Sequence, residues 1–308
     1  MTTNNFSVSS SNSVYAAIVI LNYNDYITTE NLISQISDYR SIDLIVVVDN
    51  KSTDGSFDIL KKLSSDKIHV IQTDHNGGYG YGNNYGVVYA ERLGAKYVAI
   101  SNPDVEFSEK CFISLVNALE EDQKCSCVAP LSYTPNGSLS PAIAWKQPGA
   151  FIETMTMSVI MIRLLRKLTH YKLSSFSNSN DVVVDIVPGS FLMVNTKLFI
   201  EAGMYDEGVF LYCEEKILAA RFRKINAITK LLLTESYIHH HSVTINKNIK
   251  SHFNKTMTWM RSKEYFIRNY LYKDKYAFVC NVFVKLVYSF AKIEQYSIRF
   301  AKSIVRKQ

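Results

Sequence analysis

An α/β fold built on a parallel, doubly wound sheet is predicted by three observations. Short apolar runs rich in β-branched residues recur along the first third of the chain: "VYAAIVIL" (14–21), "DLIVVVD" (43–49), "KIHVIQ" (67–72) and "KYVAIS" (96–101). The segments that follow them, at about 28–38, 56–64, 83–93 and 109–121, space apolar residues three and four apart, which is the helix period. Such β-α-β-α alternation places neighbouring strands parallel, because a helix is needed to carry the chain back to the same end of the sheet. Each run also ends in polar, turn-forming residues, and in such sheets ligands collect at the carboxyl ends of strands.

These four ends carry most of the chemistry. The first is "LNYND", with Asn22 at the strand tip. The second, "DNKSTDGS", closes its strand with Asp49; helix capping accounts for Ser52 to Asp54 but not for a carboxylate at the tip itself. The third, "TDHNGGYGYGNN", has glycines at 77, 78, 80 and 82 that let backbone approach another group closely. It lacks the G-x-G-x-x-G spacing of a dinucleotide site and follows the third strand, which argues against a nicotinamide-dependent oxidoreductase. The fourth, "SNPDVEF" (101–107), turns on Asn102-Pro103 and presents Asp104.

The 308 residues, 47% hydrophobic and 20% charged, suffice for one large globular domain or a domain with an appendage. The opening "MTTNNFSVSSSNS" (1–13) is polar and serine-rich, as a disordered lead-in is and a signal peptide is not. Five scattered cysteines suit reduced thiols in a cytoplasm. Charge is uneven: residues 246–308 hold 14 Lys/Arg against 3 Asp/Glu, whereas residues 1–245 hold 20 against 25. A basic tail of that kind fits an anionic membrane surface or nucleic acid, and no nucleic-acid-binding module is visible.

In order, "VYAAIVILNYND", "IVVVDNKSTDGS", "HNGGYGYGNNYG", "ISNPDVEF", "VPGSFLMVNTKLFIEAGMYDEGVFLYCEE" and "YIHHHSVT" resemble the family 2 inverting glycosyltransferases of the GT-A fold. The resemblance is to the bacterial rhamnosyltransferase-like branch that builds surface polysaccharides such as O-antigen or capsule. It covers residues 14–245 and implies a mixed, mainly parallel sheet flanked by helices. A nucleotide-binding half (14–105) would be followed by an acceptor and catalytic half (106–245).

By that resemblance Asn22 and Asp49 contact the nucleotide, and Asn76, Gly78 and Asn84 shape its cleft. Asn102-Pro-Asp104 stands where the family has its Asp-x-Asp motif, so Asp104 would hold Mg²⁺ or Mn²⁺ on the diphosphate, with the neutral Asn102 beside it. His239 would be the second metal ligand, with His241 as the fallback and Ser242 and Thr244 completing the motif. Glu215, with Glu214 beside it, would be the base that deprotonates the acceptor hydroxyl. The family's following acid is absent from "EEKIL" (214–218), and a catalytically impaired homologue that only binds nucleotide-sugar or glycan is the alternative. Asp206 and Glu207 match a recurrent Phe-Asp-Glu element and would shape the acceptor side.

Two further segments bear on the partner. "AFIETMTMSVIMIRLLRKLTHYKLSSF" (150–176) is apolar and basic, too short in its apolar run to span a bilayer, and suits a buried helix or a lipid-docking one. In the tail, Val279, Phe283, Leu286, Phe290, Ile293, Phe300 and Ile304 align on one helical face, beside Lys285, Lys292, Arg299 and Arg306 at seven-residue intervals. A basic amphipathic helical tail over 246–308 is expected. The whole implies a metal-dependent inverting transferase, peripheral at the inner face of the plasma membrane. It would move a sugar, rhamnose from its dTDP donor first and UDP-hexoses next, to a glycan or polyprenyl-linked acceptor.

Overall fold

The computed structural model describes residues 14–176, 179–240, 252–272 and 277–305. The four expected strands form as β1 (Ala16–Asn22), β2 (Leu44–Asp49), β3 (Ile68–Gln72) and β4 (Tyr97–Ser101), parallel and in the order β3-β2-β1-β4. All six residues of β2 are buried, as they must be in a strand covered on both faces. Alternate side chains serve the two layers: Ile18 and Ile20 pack with Leu32 and Ile36 on one side, Ala17 and Val19 with Val87 and Ala90 on the other.

The linking helices are α1 (Tyr26–Ile36), α2 (Ser56–Lys61), α3 (Tyr79–Arg92) and α4 (Glu109–Glu121). The third begins four residues before the expected 83–93, so most of the Gly-rich stretch is helix and not loop. Packing explains this: a Cβ at Gly82 would fall 2.3 Å from Leu21, and one at Gly86 2.5 Å from Val19. Those glycines let α3 lie close on β1.

The second half adds β5 (Val105–Phe107), β6 (Cys125–Tyr133), β7 (Asp181–Val184), β8 (Phe191–Asn195) and β9 (Ile228–His239). The sheet continues β4-β8-β6-β9, and β5 and β7 both pair along the far side of β9. Strand β8 runs antiparallel to both β4 and β6, while β6 and β9 are parallel. Six strands thus point one way and three the other. Pro130 is tolerated inside β6 because the register with β9 shifts between Pro130 and Leu131.

The reversal at β8 determines where the site can form. Ser101 pairs with Phe191, so residues entering β8 lie beside residues leaving β4. Val105 pairs with His239 in the antiparallel β5–β9 ladder, which returns the end of β9 to the same edge.

Seven helices complete the described chain: α5 (Ala150–Met155), α6 (Val159–Leu164), α7 (Arg166–Thr169), α8 (Thr196–Glu201), α9 (Glu214–Lys224), α10 (His252–Phe266, continued by a π-helical turn to Leu271) and α11 (Ala277–Val305). Residues 150–176 are therefore three short helices and not one buried helix. Glu153 and Thr154 point inward, whereas Phe151, Ile160, Leu164 and Leu168 are exposed. The basic tail packs on α9 and the segment before it through a third apolar cluster that joins Val209 and Ile217 to Met260, Phe266, Val284 and Ala291. All five cysteines are free thiols. No described helix is long and apolar enough to cross a membrane. The lead-in 1–13 and, at the other end, His241, Ser242, Thr244 and Arg306 lie outside the described residues.

Candidate functional site

At the carboxyl edge, Asn22 and Asp49 end adjacent strands as register partners, and neither is exposed. Asn22 Nδ2 donates to Asp49 Oδ2 (2.8 Å) and to Ser52 Oγ (3.2 Å). Asp49 Oδ1 accepts from the Ser52 amide (3.0 Å) and from Gln72 Nε2 (2.9 Å). Three of the carboxylate's roughly four acceptor positions are filled, which fixes its orientation and leaves capacity for one further donor.

Asn76 Oδ1 accepts from the Gly78 amide (3.1 Å) and from Asn50 Nδ2 (3.0 Å), and Asn50 Nδ2 also donates to the Gly78 carbonyl (3.0 Å). Gly78 has φ +93°, and a Cβ there would meet the Phe210 carbonyl at 2.2 Å. The third strand end is thereby held against the segment that leads into α9. Asn84 is spent differently. It is buried on α3, its Nδ2 donating to the Tyr205 carbonyl and Glu207 Oε1 (3.0 Å each) and its Oδ1 accepting from the Tyr205 amide (3.0 Å). It acts on the Tyr205–Glu207 turn and not on open space.

Asp104 and His239 come together: His239 Nε2 lies 3.3 Å from Asp104 Oδ1, and the carboxylate is almost wholly buried. His240 points the other way, as the next residue along a strand must, and meets Glu106 Oε1 at 2.6 Å. Asn102 is half-buried, and its amide donates to the Ser190 carbonyl (2.8 Å).

The two acids begin α9 behind Tyr212 and Cys213, which have φ of 73° and 69°. Two successive non-glycine residues in the left-handed region cost roughly 1–2 kcal/mol each, strain of the kind that gathers at functional sites. Glu214 is buried, its Oε1 has no hydrogen-bond partner among the described residues, and burial together with the charge of Glu215 pushes its carboxyl up to about 8. Glu215 is half-buried; removal from water raises it as well, against the stabilising Gly189 amide. Its carboxylate lies on the Gly189 backbone, where an added Cβ would be 2.4 Å from Oε1. Gly189 precedes Ser190, the residue tied to Asn102. Consecutive residues therefore connect the Asp104 turn to the Glu215 carboxylate.

Because that space is filled by Glu215, Gly189→Ala is expected to displace the carboxylate by about 1 Å; were Glu215 the base that the family resemblance implies, this would lower turnover on the order of 100-fold. Circular dichroism and nucleotide binding should be unchanged. Full activity in the alanine variant would show that Glu215 does not act from this position.

Two contributors, Tyr79 and Glu153, escaped the sequence reading, and a third, Asp206, was expected only to shape the acceptor side. Tyr79 Oη donates to the Gly189 carbonyl (2.6 Å), and its own ionisation is driven far up, chiefly by burial and then by the charges of Glu215 and Glu214. Asp206 pairs with Arg221 (3.3 Å) and accepts from Tyr265 and Tyr270, which locks the turn before α9 to α10. Burial opposes the Asp206 charge, but these donors outweigh it and hold its carboxyl below the ordinary range. Glu153 accepts from Lys216 (2.5 Å) and pairs with Lys263 (3.1 Å) directly beneath the acids. The pattern "MYDEG" (204–208) signals Asp206 in the sequence, whereas nothing local signals the role of Glu153.

Known proteins bear on the same surface. The profile of Glycosyl transferase family 2 matches residues 17–176, just over half of the chain. Hexosyltransferase Agl10 of low-salt glycan biosynthesis, from Haloferax volcanii, is 29% identical over 211 residues, 68% of this chain and 62% of that protein, so under two thirds of its length is spanned. Rhamnosyltransferase WbbL of Escherichia coli is 27% identical over 218 residues, 68% of this chain and 76% of that one. An N-acetylglucosaminyl-diphospho-decaprenol L-rhamnosyltransferase of Mycobacterium tuberculosis is 23% identical, with 68% and 70% covered. Among solved structures, GalNAc-T7 crystallised with UDP, GalNAc and Mn²⁺ superposes with a TM-score of 0.56 at 15% identity, covering 75% of this chain and 44% of that one. Staphylococcus aureus TarS (residues 1–349) gives 0.51 at 14%, covering 88% and 69%. At such identities the likeness carries the GT-A fold alone. Sequence profile and sheet topology agree, and the chain belongs to glycosyl transferase family 2.

Proposed function

We propose that this protein is a metal-assisted, inverting glycosyltransferase that moves a sugar from a nucleoside diphosphate to a glycan or polyprenyl-linked acceptor. The observation that carries it is the meeting of two acidic centres at one sheet edge: Asp104 with His239, and Glu215 with Glu214, joined through Gly189–Ser190. The names of the bacterial relatives favour rhamnose, with dTDP as its carrier, ahead of UDP-linked hexoses. A decaprenol-linked substrate in one of them favours a lipid-borne acceptor at the inner face of the plasma membrane.

The donor atoms suit a hard divalent cation. Asp104 and His239 offer one carboxylate and one imidazole, and among the described residues no third His, Cys, Asp or Glu joins them. Mg²⁺ and Mn²⁺ accept such sparse protein ligation when substrate phosphates and water supply the rest. When bound, the ion would neutralise charge on the departing diphosphate. The chain's own residues do the remainder. Asp49, fixed by Asn22, Ser52 and Gln72, holds in place the strand end against which the nucleotide lies. Glu215 takes the acceptor hydroxyl's proton as that oxygen attacks from the face opposite the diphosphate. Glu214, kept neutral by burial, adds no repulsion to the incoming oxygen near neutral pH.

Donor screening by thermal shift and by nucleotide release, with and without Mn²⁺, tests the proposal. A stabilising donor and Mn²⁺-dependent turnover are expected. Asp104→Asn should lower that turnover by roughly 100-fold or more and remove the Mn²⁺ dependence of nucleotide binding. Binding of donor without release or transfer under any condition would instead favour the non-catalytic homologue suggested by Asn102.

A further inference from the structure

The outward face of α11 is left unused by the transfer chemistry. Leu286, Phe290 and Ile293 are 65%, 58% and 64% exposed. At 100° per residue they fall within an arc of about 60°. Lys285 and Lys292, both exposed, border one side of that strip. On the other side two contacts join it to the short helices: Phe283 stacks on Phe151 with ring centroids 5.5 Å apart, and Glu294 accepts from the Val159 (3.0 Å) and Ile160 (3.2 Å) amides. Beyond them Phe151, Ile160 and Leu164 extend the apolar surface at 61%, 57% and 70% exposure. Charge on this surface has one sign. Residues 159–176 contain no Asp or Glu, and Glu294, the single acid of residues 277–305, is consumed in capping α6.

We propose that α11 and α5–α7 together form one docking face for an anionic lipid bilayer surface, with α11 lying in the plane of the interface. The proposal rests on the membrane-surface location given above and names the surface responsible. One-sided apolar exposure with a basic border is what an interfacial helix requires, and α11, about 44 Å long, presents it over several turns. Phospholipid headgroups complement the lysines and acyl chains the strip. A second copy of the chain fits less well, since a two-fold pairing through this face would set its basic border against itself.

The full chain is mixed with vesicles of phosphatidylcholine containing about one third phosphatidylglycerol, or with phosphatidylcholine alone, and sedimented. Binding to the first, weakened by salt, is expected. The triple change Leu286→Ser, Phe290→Ser and Ile293→Ser should weaken it about 10-fold or more, and Phe151→Ser with Leu164→Ser should weaken it as well. Lys285→Gln with Lys292→Gln should erase the preference for anionic vesicles. Equal recovery with both vesicle types, or undiminished binding by the triple variant with its circular dichroism intact, would overturn the proposal. So would a dimer in sedimentation velocity that the triple variant dissociates while vesicle binding persists. Metal-dependent donor hydrolysis without vesicles reports separately on the transfer reaction: its absence from the wild type would remove that function and leave the docking result standing.

Discussion

Glu215→Gln is expected to lower sugar transfer about 10²- to 10⁴-fold while leaving nucleotide affinity within roughly twofold, because it removes the one half-buried acid that faces the Gly189–Ser190 turn and keeps its shape. Glu214→Gln should behave oppositely. The Glu214 carboxyl, at about 8, is already neutral near pH 7, so an amide there changes little of what the substrate meets. The pH dependence follows. Transfer requires the ionised base, and burial raises Glu215, so the rate should climb with pH on an ascending limb displaced upward from an ordinary glutamate. Stability runs the other way. A carboxyl raised from its ordinary 4.5 to about 8 retains a proton in the folded state that the unfolded chain releases, so stability falls as pH rises through that interval. Glu214→Gln lacks the slope and should unfold at higher denaturant than the wild type at pH ~9, with a smaller difference at pH ~5. Urea titrations at both values, with initial rates, check the pair. Near-normal transfer by Glu215→Gln would assign the proton to another group.

Much of the parallel half of the sheet was legible because a parallel strand buried on both faces writes itself as a continuous apolar run, as "LIVVV" does, and its end is marked where polarity returns at Asp49 and Asn50. The pairing of Asp104 with His239 came from family resemblance. The antiparallel return of β9 to β5 is its physical cause, and no spacing in the sequence encodes it. The start of α3 lies four residues earlier than expected because glycine signals a loop by default, whereas at Gly82 it serves close helix–strand packing. Residues 150–176 left two readings open. Their apolar content suits a buried helix or a lipid-docking one, and three short helices with Phe151, Ile160 and Leu164 exposed beside the equally exposed strip of α11 overturn the first of these. Leu286, Phe290, Ile293 and Phe300, on the apolar face that periodicity marks in the tail, are exposed, and periodicity could not say that they point outward, because Val284, Ala291 and Gln295 on the opposite face make the buried contact.

Lys216, the residue that follows the two acids of α9, is held by an acid of α5. Glu153, with no exposure, lies between Lys216 (2.5 Å) and Lys263 (3.1 Å), and Lys263 also donates to Thr156 Oγ1 (2.6 Å) and the Thr156 carbonyl (3.1 Å). Burial opposes the Glu153 charge, yet the two ammonium groups outweigh it and keep its carboxyl below the ordinary value. Glu153→Gln removes the one negative charge and leaves two buried or half-buried cations facing each other, so a loss of about 3–5 kcal/mol is expected. The sign of its pH dependence is fixed by Lys263, which burial, and next the charge of Lys216, lower from 10.5 to about 8. A lysine depressed in the folded state binds fewer protons there than in the unfolded chain, so its cost shrinks as pH rises from about 8 toward 10.5. Without Glu153 the depression deepens, and the variant's deficit should narrow between pH ~7 and ~9. Because Lys216 follows Glu215 on α9 and Glu153 belongs to α5, the folded fraction of Glu153→Gln should also turn over more slowly with donor affinity retained. Denaturant midpoints equal to wild type at pH ~7 would show that the triad holds neither helix in place.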